Sequence, residues 1–227
     1  MITTVLIDVD DTLLDFHLDE VTAISDTLLS FGIDPSEETV ALYSSINRAL
    51  WQALERGEVS REEVLVRRFE RLFSALGRDI DPVCARNAYE KRLSCGSGII
   101  EGARELLAAL HPKYSVYIIS NGTVSVQTPR LERSGLLPYI DGVFLSERIG
   151  AWKPSEAFFR HVLSNIPERD KAKIIVIGDS LSADVRGGKT VGLKTCHFNP
   201  SCKPVTDIIP DYTVTKLSEI PELLEGL

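Results

Sequence analysis

The chain places carboxylates where a buried strand would end. Val5-Leu6-Ile7 leads into Asp8-Val9-Asp10-Asp11-Thr12. On a strand, residues two apart point the same way, so Asp8 and Asp10 would share a face. Two like charges held side by side repel, and the arrangement suits a hard divalent cation, Mg2+ first, with one carboxylate poised for covalent chemistry. Taken alone, the same residues also make a polar turn or a helix N-cap.

Three further segments end in polar groups. Ile118-Ile119-Ser120-Asn121-Gly122 supplies a hydroxyl and an amide just before a helical pattern. A hydroxyl with free backbone N–H groups at a helix start can hold an anion, although a capped turn reads the same way. Lys153 precedes Pro154 and another helix; by itself it is a solvated charge. Ile175-Val176-Ile177-Gly178-Asp179-Ser180, with Asp184 beyond, gives an apolar strand ending in one acid, with a second acid near a helix start.

The elements that must carry these groups follow from patterning. Short apolar, β-branched runs occur at 3–8, 115–120, 142–145, 173–178, 193–198 and 212–214. Continuous rather than alternating apolar character predicts strands covered on both faces, hence a parallel sheet. Helical patterns at about 102–110, 124–134, 155–166, 183–191 and 218–224 separate them, which predicts βαβ units in a doubly wound sheet. The alternation fails between the first two strands. The excess, about Phe16 to Cys95, reads as helices: one over 17–31 ended by Gly32, a second opened by Asp34-Pro35-Ser36-Glu37, and a third opened by the capping box Ser60-Arg61-Glu62-Glu63. These predict an all-helical cap, 16–95, inserted into a core of 1–15 and 96–227 and hanging over the carboxylates.

Composition sets outer bounds. The chain has 227 residues, 44% hydrophobic and 26% charged, with a net charge of −8. An acidic chain of pI 5.1 argues against non-specific nucleic-acid binding. No apolar stretch is long enough for a membrane span, and the N-terminus enters the first strand without a leader pattern. Cys84, Cys95, Cys196 and Cys202 form no Cys-x-x-Cys pair, as expected of reduced thiols in the cytoplasm. His17, His111, His161 and His197 show no ligand spacing and are assigned surface or packing roles. Gly188-Lys189-Thr190 lacks the first glycine of a phosphate-binding loop, and Gly96-Ser97-Gly98 reads as a linker.

Together the four polar segments, Asp8-x-Asp10-x-Thr12, Ser120-Asn121-Gly122, Lys153-Pro154 and Gly178-Asp179…Asp184, resemble the four motifs of the haloacid dehalogenase superfamily, in order and over essentially the whole chain. The resemblance implies an α/β Rossmann-like core of strand order 5-4-1-2-3 with a helical cap, and Mg2+-dependent phosphoryl transfer through an aspartyl-phosphate. It implies Asp8 as nucleophile, Asp10 as acid and then base, and Ser120, Asn121, Gly122 and Lys153 as phosphate-binding groups. It implies a metal site of Asp8, Asp10 (through its backbone carbonyl), Asp179 and Asp184. Dehalogenases lack the second motif carboxylate, so Asp10 favours a phosphatase. Asp11 stands where the family commonly has Gly.

Ile46-Asn47-Arg48-Ala49-Leu50-Trp51, Glu55–Ser60 and Arg67-Arg68-Phe69 resemble the pyrimidine 5′-nucleotidase branch, with Asn47, Trp51 and Arg67 as cap contacts to substrate. Trp51 also reads as a core aromatic of the cap. The expected activity is hydrolysis of a nucleoside 5′-monophosphate by a monomer or small homo-oligomer. The alternatives are a sugar-phosphate or phosphoglycolate phosphatase, a 2-haloacid dehalogenase, and a binding protein without turnover.

Overall fold

The structure, a computed structural model, describes residues 1–204 and 207–227. The chain divides into two compact units: a sheet unit of 1–15, 98–124 and 134–227, and a helical unit of 16–97 and 125–133.

In the sheet unit six parallel strands form one sheet: β1 (Thr4–Ile7), β2 (Ser115–Ser120), β3 (Gly142–Leu145), β4 (Ile174–Gly178), β5 (Lys194–Phe198) and β6 (Tyr212–Val214), in the order β3-β2-β1-β4-β5-β6. This is the expected 5-4-1-2-3 order with β6 added at the β5 edge. β1 and β4 are buried at every residue, which is why their sequences run apolar without alternation. Ile7 stands between Ile118 and Ile177, so the strand that ends at Asp8 is central. The connection goes outward from β1 to β2 and β3, then returns to β4 on the other side. That reversal is where open α/β sheets form sites, at the carboxyl ends of their strands.

Helices α5 (Ala103–Leu110), α7 (Ser146–Ile149), α8 (Glu156–Asn165), α9 (Arg186–Thr190) and α10 (Ile220–Glu225) lie in the same unit. Phe158, Phe159 and Val162 of α8 pack with Leu6, Ile119, Ile174 and Val176 in one core. The helix expected at 183–191 begins instead as a π turn, Leu181–Val185, capped by Ser180 and followed by α9. Such wide turns concentrate at functional sites.

The helical unit contains α1 (Phe16–Ser30), α2 (Glu37–Glu55), α3 (Arg61–Ala75) and α4 (Pro82–Leu93). α1 packs on α4 and α2, and α3 on α2 and α4. Their core is aromatic: Tyr43 lies 5.5 Å from Phe69 and 5.4 Å from Tyr89, centroid to centroid. Ser60 and Glu63 form the expected capping box. The start of α2 differs from expectation. Its N-cap is Ser36, which accepts from the Thr39 N–H, and not Asp34. Glu37 and Glu38 then fill the first turn, where negative charge is favoured by the helix dipole.

Residues 125–133, the body of α6 (Val124–Ser134), group with the helical unit although the sequence reading placed them in the core. The reason is local. Val126 joins the aromatic core. Arg130, fully buried, donates to Asp19 Oδ2 at 2.9 and 3.2 Å and to Gln127 Oε1 at 2.9 Å.

Candidate active site

β1 stops at Ile7, and the Asp8 N–H still donates to Ile177 O at 2.9 Å, so the first acid leaves the sheet at a fixed point. The chain then turns tightly: the N–H groups of Leu13 and Leu14 both donate to Val9 O at 2.8 Å. Asp11 takes φ +57°, the left-handed region that Asp tolerates better than most side chains. The residue that departs from the family's glycine thus keeps a glycine-like backbone.

Asp8, Asp179 and Asp184 each offer a carboxylate oxygen, and these oxygens lie within 4.8 Å of one another. Asp8 and Asp184 are buried and Asp179 is half-buried. Lys153 Nζ reaches into the cluster, donating to Asp8 Oδ1 at 2.5 Å, Asp184 Oδ1 at 2.7 Å and Ile119 O at 3.1 Å. Gly178 is required here by close approach, since a Cβ would fall 2.2 Å from Asp184 Oδ2. Burial raises the Asp8 carboxyl, the charges of Asp184 and Asp10 add to this, and Lys153 opposes it. Burial, followed by Asp8, Asp184 and Asp11, raises Asp179 in the same direction. For Lys153 burial would lower the ammonium, but Asp184 and Asp8 outweigh it and hold it protonated.

Asp10 is not in the three-acid cluster. It is half-buried and close enough to raise Asp8 by its charge. The oxygen-only, carboxylate-rich donor set fits a hard divalent cation such as Mg2+.

The segment after β2 is built around Lys153. Asn121 Oδ1 accepts from the Lys153 N–H at 2.8 Å, and its Nδ2 donates to Lys153 O at 3.0 Å. The Asn121 side-chain amide therefore holds the lysine's backbone, while the phosphate contacts expected of this segment rest on Ser120 and backbone N–H groups. Ser120 is buried, and its Oγ accepts from the Gly122 N–H at 3.0 Å. Two residues beyond the expected set hold the β4 exit. Thr12 Oγ1 accepts from the Asp179 N–H at 3.1 Å, and His197 Nε2 bonds Asp179 O at 2.9 Å. His197 therefore has a polar contact beyond the packing role expected of it. Burial lowers its imidazole.

The three cap residues named from sequence stand on α2 and α3. Asn47 is buried inside the helical unit, which corrects its reading as a substrate contact. Its Nδ2 donates to Glu20 Oε1 at 2.7 Å and its Oδ1 accepts from Arg68 Nη1 at 3.4 Å, so both ends of the amide are engaged. Arg67 pairs with Glu63 one turn earlier on α3. Trp51 is half-buried. Lys189 of the glycine-lysine-threonine run pairs with Asp211 at 2.9 Å, a structural role.

The pyrimidine 5′-nucleotidase PynA of Streptococcus pneumoniae is 35% identical over 222 residues, 97% of this chain and 94% of its own. The pyrimidine 5′-nucleotidase YjjG of Escherichia coli is 29% identical over 221 residues, 97% and 96% of the two chains. The magnesium-bound crystal structure of YfnB of Bacillus subtilis, a HAD-hydrolase by name, superposes with a TM-score of 0.94 at 38% identity, covering 98% of each chain. Residues 2–192 match the haloacid dehalogenase-like hydrolase family, and the chain belongs to it.

Proposed function

We propose that this protein is a Mg2+-dependent phosphomonoester hydrolase that works through an aspartyl-phosphate and acts on nucleoside 5′-monophosphates, pyrimidines foremost. The observation that carries the reading is the pairing of a buried, lysine-bonded Asp8 with a second acid, Asp10, that stays outside the three-carboxylate cluster. In this reading one acid attacks and the other moves protons.

An Asp8 carboxylate oxygen attacks phosphorus, and the ester P–O bond breaks. Asp10 gives its proton to the departing alkoxide. Asp10, now a carboxylate, takes a proton from water as that water attacks the phosphoryl group. The acyl phosphate P–O bond breaks, returning Asp8 and inorganic phosphate. Lys153 stabilises charge on Asp8 and the phosphoryl oxygens, and the Ser120–Gly122 segment binds those oxygens. The carboxylates of Asp8, Asp179 and Asp184 with the carbonyl of Asp10 would hold Mg2+, which when bound supplies compensating positive charge for nucleophile and substrate.

The helical unit acts as a cap that selects the leaving group, with Trp51 stacking on the base. The relatives named pyrimidine 5′-nucleotidases support this substrate class. The four cysteines, free in the structure, suit the cytoplasm.

The deciding experiment is phosphate release from UMP, dTMP, purine nucleotides, sugar phosphates and phosphoglycolate, with Mg2+ and with EDTA. Expected are turnover of UMP and dTMP, abolition by EDTA and recovery on adding Mg2+. Full activity after exhaustive chelation refutes the metal site, and preference for a sugar phosphate or phosphoglycolate refutes the nucleotide assignment.

A further inference from the structure

The Asp179–Ser180 peptide lies beyond the last residue of β4, so the β4–β5 ladder does not hold it. Both of its polar atoms are nevertheless engaged. Its carbonyl oxygen, on Asp179, meets His197 Nε2 at 2.9 Å, and its N–H, on Ser180, donates to Asp184 Oδ2 at 3.2 Å. One peptide plane is therefore held between a histidine and a carboxylate of the acidic cluster. His197 stands on β5 in register with Gly178, the residue before Asp179. A carbonyl oxygen only accepts, so Nε2 carries the hydrogen.

The other ring nitrogen explains what the imidazole is for. Nδ1 is buried and has no hydrogen-bond partner among the described residues, and the residue is only 5% exposed. Burying an unpaired ring nitrogen costs free energy that an apolar ring of similar shape would avoid. Packing alone is therefore a poor account of a histidine here. The Nε2 bond to Asp179 is the compensating gain.

We propose that His197 is a positioning residue for cation binding: by fixing the Asp179–Ser180 peptide it sets the direction of the Asp179 carboxylate toward Asp8 and Asp184. The inference rests on the reading of these three acids as a metal site. Removing a group that orients a metal ligand commonly weakens metal affinity about 10–100-fold.

The test is calorimetric titration of Mg2+ into the metal-free full-length protein, with melting temperature measured alongside. His197→Phe keeps an aromatic ring and removes the donor; its Mg2+ dissociation constant should rise about 10–100-fold. His197→Gln places an amide N–H near the Nε2 position and should bring affinity back to within about threefold of wild type. At saturating Mg2+, the KM of His197→Phe for p-nitrophenyl phosphate should stay within about threefold of wild type, because His197 is assigned no contact with substrate. Unchanged Mg2+ affinity in a folded His197→Phe protein overturns the inference and leaves the metal site standing. Equal loss of affinity in both variants overturns it as well, since the donor would then not be what matters. A wild-type protein that binds no Mg2+ overturns the metal site itself.

Discussion

Replacing Lys153 by Met should destabilise the metal-free protein far more than a single lysine usually does. Among the described residues Nζ is the only cation in hydrogen-bond contact with the carboxylates of Asp8 and Asp184, and the side chains of lysine, Asp8 and Asp184 are 3%, 9% and 1% exposed. Removing one partner of a buried ion pair costs about 3–5 kcal/mol, because the other charge is left uncompensated. Two carboxylates share this one ammonium, so their losses are coupled and do not double. The lysine stem is replaced by a methionine of similar length, so little packing is lost.

In a chain of this length each kcal/mol corresponds to about 2–4 °C, giving a fall of about 6–20 °C in melting temperature in EDTA. Excess Mg2+ should restore part of the loss in the variant, because a divalent cation supplies the missing charge and binds only the folded site. Thermal unfolding by circular dichroism, wild type against Lys153→Met, with EDTA and with Mg2+, reads both effects. A variant that melts within about 2 °C of wild type in EDTA would refute the claim that this lysine balances buried charge. Loss of turnover alone would not distinguish that claim from a purely catalytic role.

Trp51→Leu should lower kcat/KM for UMP about tenfold, as expected when base stacking worth about 1–3 kcal/mol is lost, and leave p-nitrophenyl phosphate within about threefold. A parallel fall in both substrates and in melting temperature would make Trp51 a packing residue. Burial pushes the Asp211 carboxyl up, but the bonds from Lys189 and Thr195 outweigh it and hold it below the usual value. Its contribution is therefore present above the unfolded pKa and lost as pH falls through the folded one. Asp211→Asn should cost up to about 1 kcal/mol at pH 7, and the gap should close as the solution is acidified below about pH 4. A gap independent of pH in urea titrations would count against the ion pair. Burial pushes the Cys196 thiol up to about 12, so in native protein at pH 8 it should resist alkylation while the exposed Cys84, Cys95 and Cys202 react; rapid labelling of Cys196 by peptide mapping would contradict its burial.

What sequence made legible here, and what it hid, divides along a physical line. β1, β2 and β4 were readable because burial on both faces writes an unbroken apolar run, and the places of Asp8, Ser120 and Asp179 at the ends of those strands were readable because polarity begins where the runs stop. The Ser60 cap was readable because its partner is three residues away. The contacts that shape the site join residues far apart in sequence. Asn121 meets the Lys153 backbone, Thr12 meets Asp179 and His197 meets Asp179 only because parallel strands bring their ends together. No local pattern encodes those pairings, so the sequence offers no sign that the Asn121 side chain holds the Lys153 backbone or that His197, expected in a surface or packing role, meets Asp179. Asn47 misled for a related reason. An exposed amide and a buried one look alike in a helix until the partners on α1 and α3, Glu20 and Arg68, are known.

The charge balance of the sheet unit explains why these particular residues sit together. Three carboxylates lie within 4.8 Å of one another and Lys153 supplies one ammonium, so with all three ionised two formal negative charges are left for which the described residues show no ion-pair partner, and this excess is part of what raises the Asp8 and Asp179 carboxyls. A second lysine would neutralise only one of those two charges. A divalent cation cancels both charges in the volume of a single ion and takes the oxygen donors already present. Asp10 must stay outside that arrangement if it is to exchange protons, because a carboxylate bound to a cation is a poor base. The half-buried position of Asp10, beside the cluster and not in it, meets that requirement. Only Val9 separates the two acids, and the turn that follows, with Asp11 in the left-handed region, closes onto the Val9 carbonyl between them.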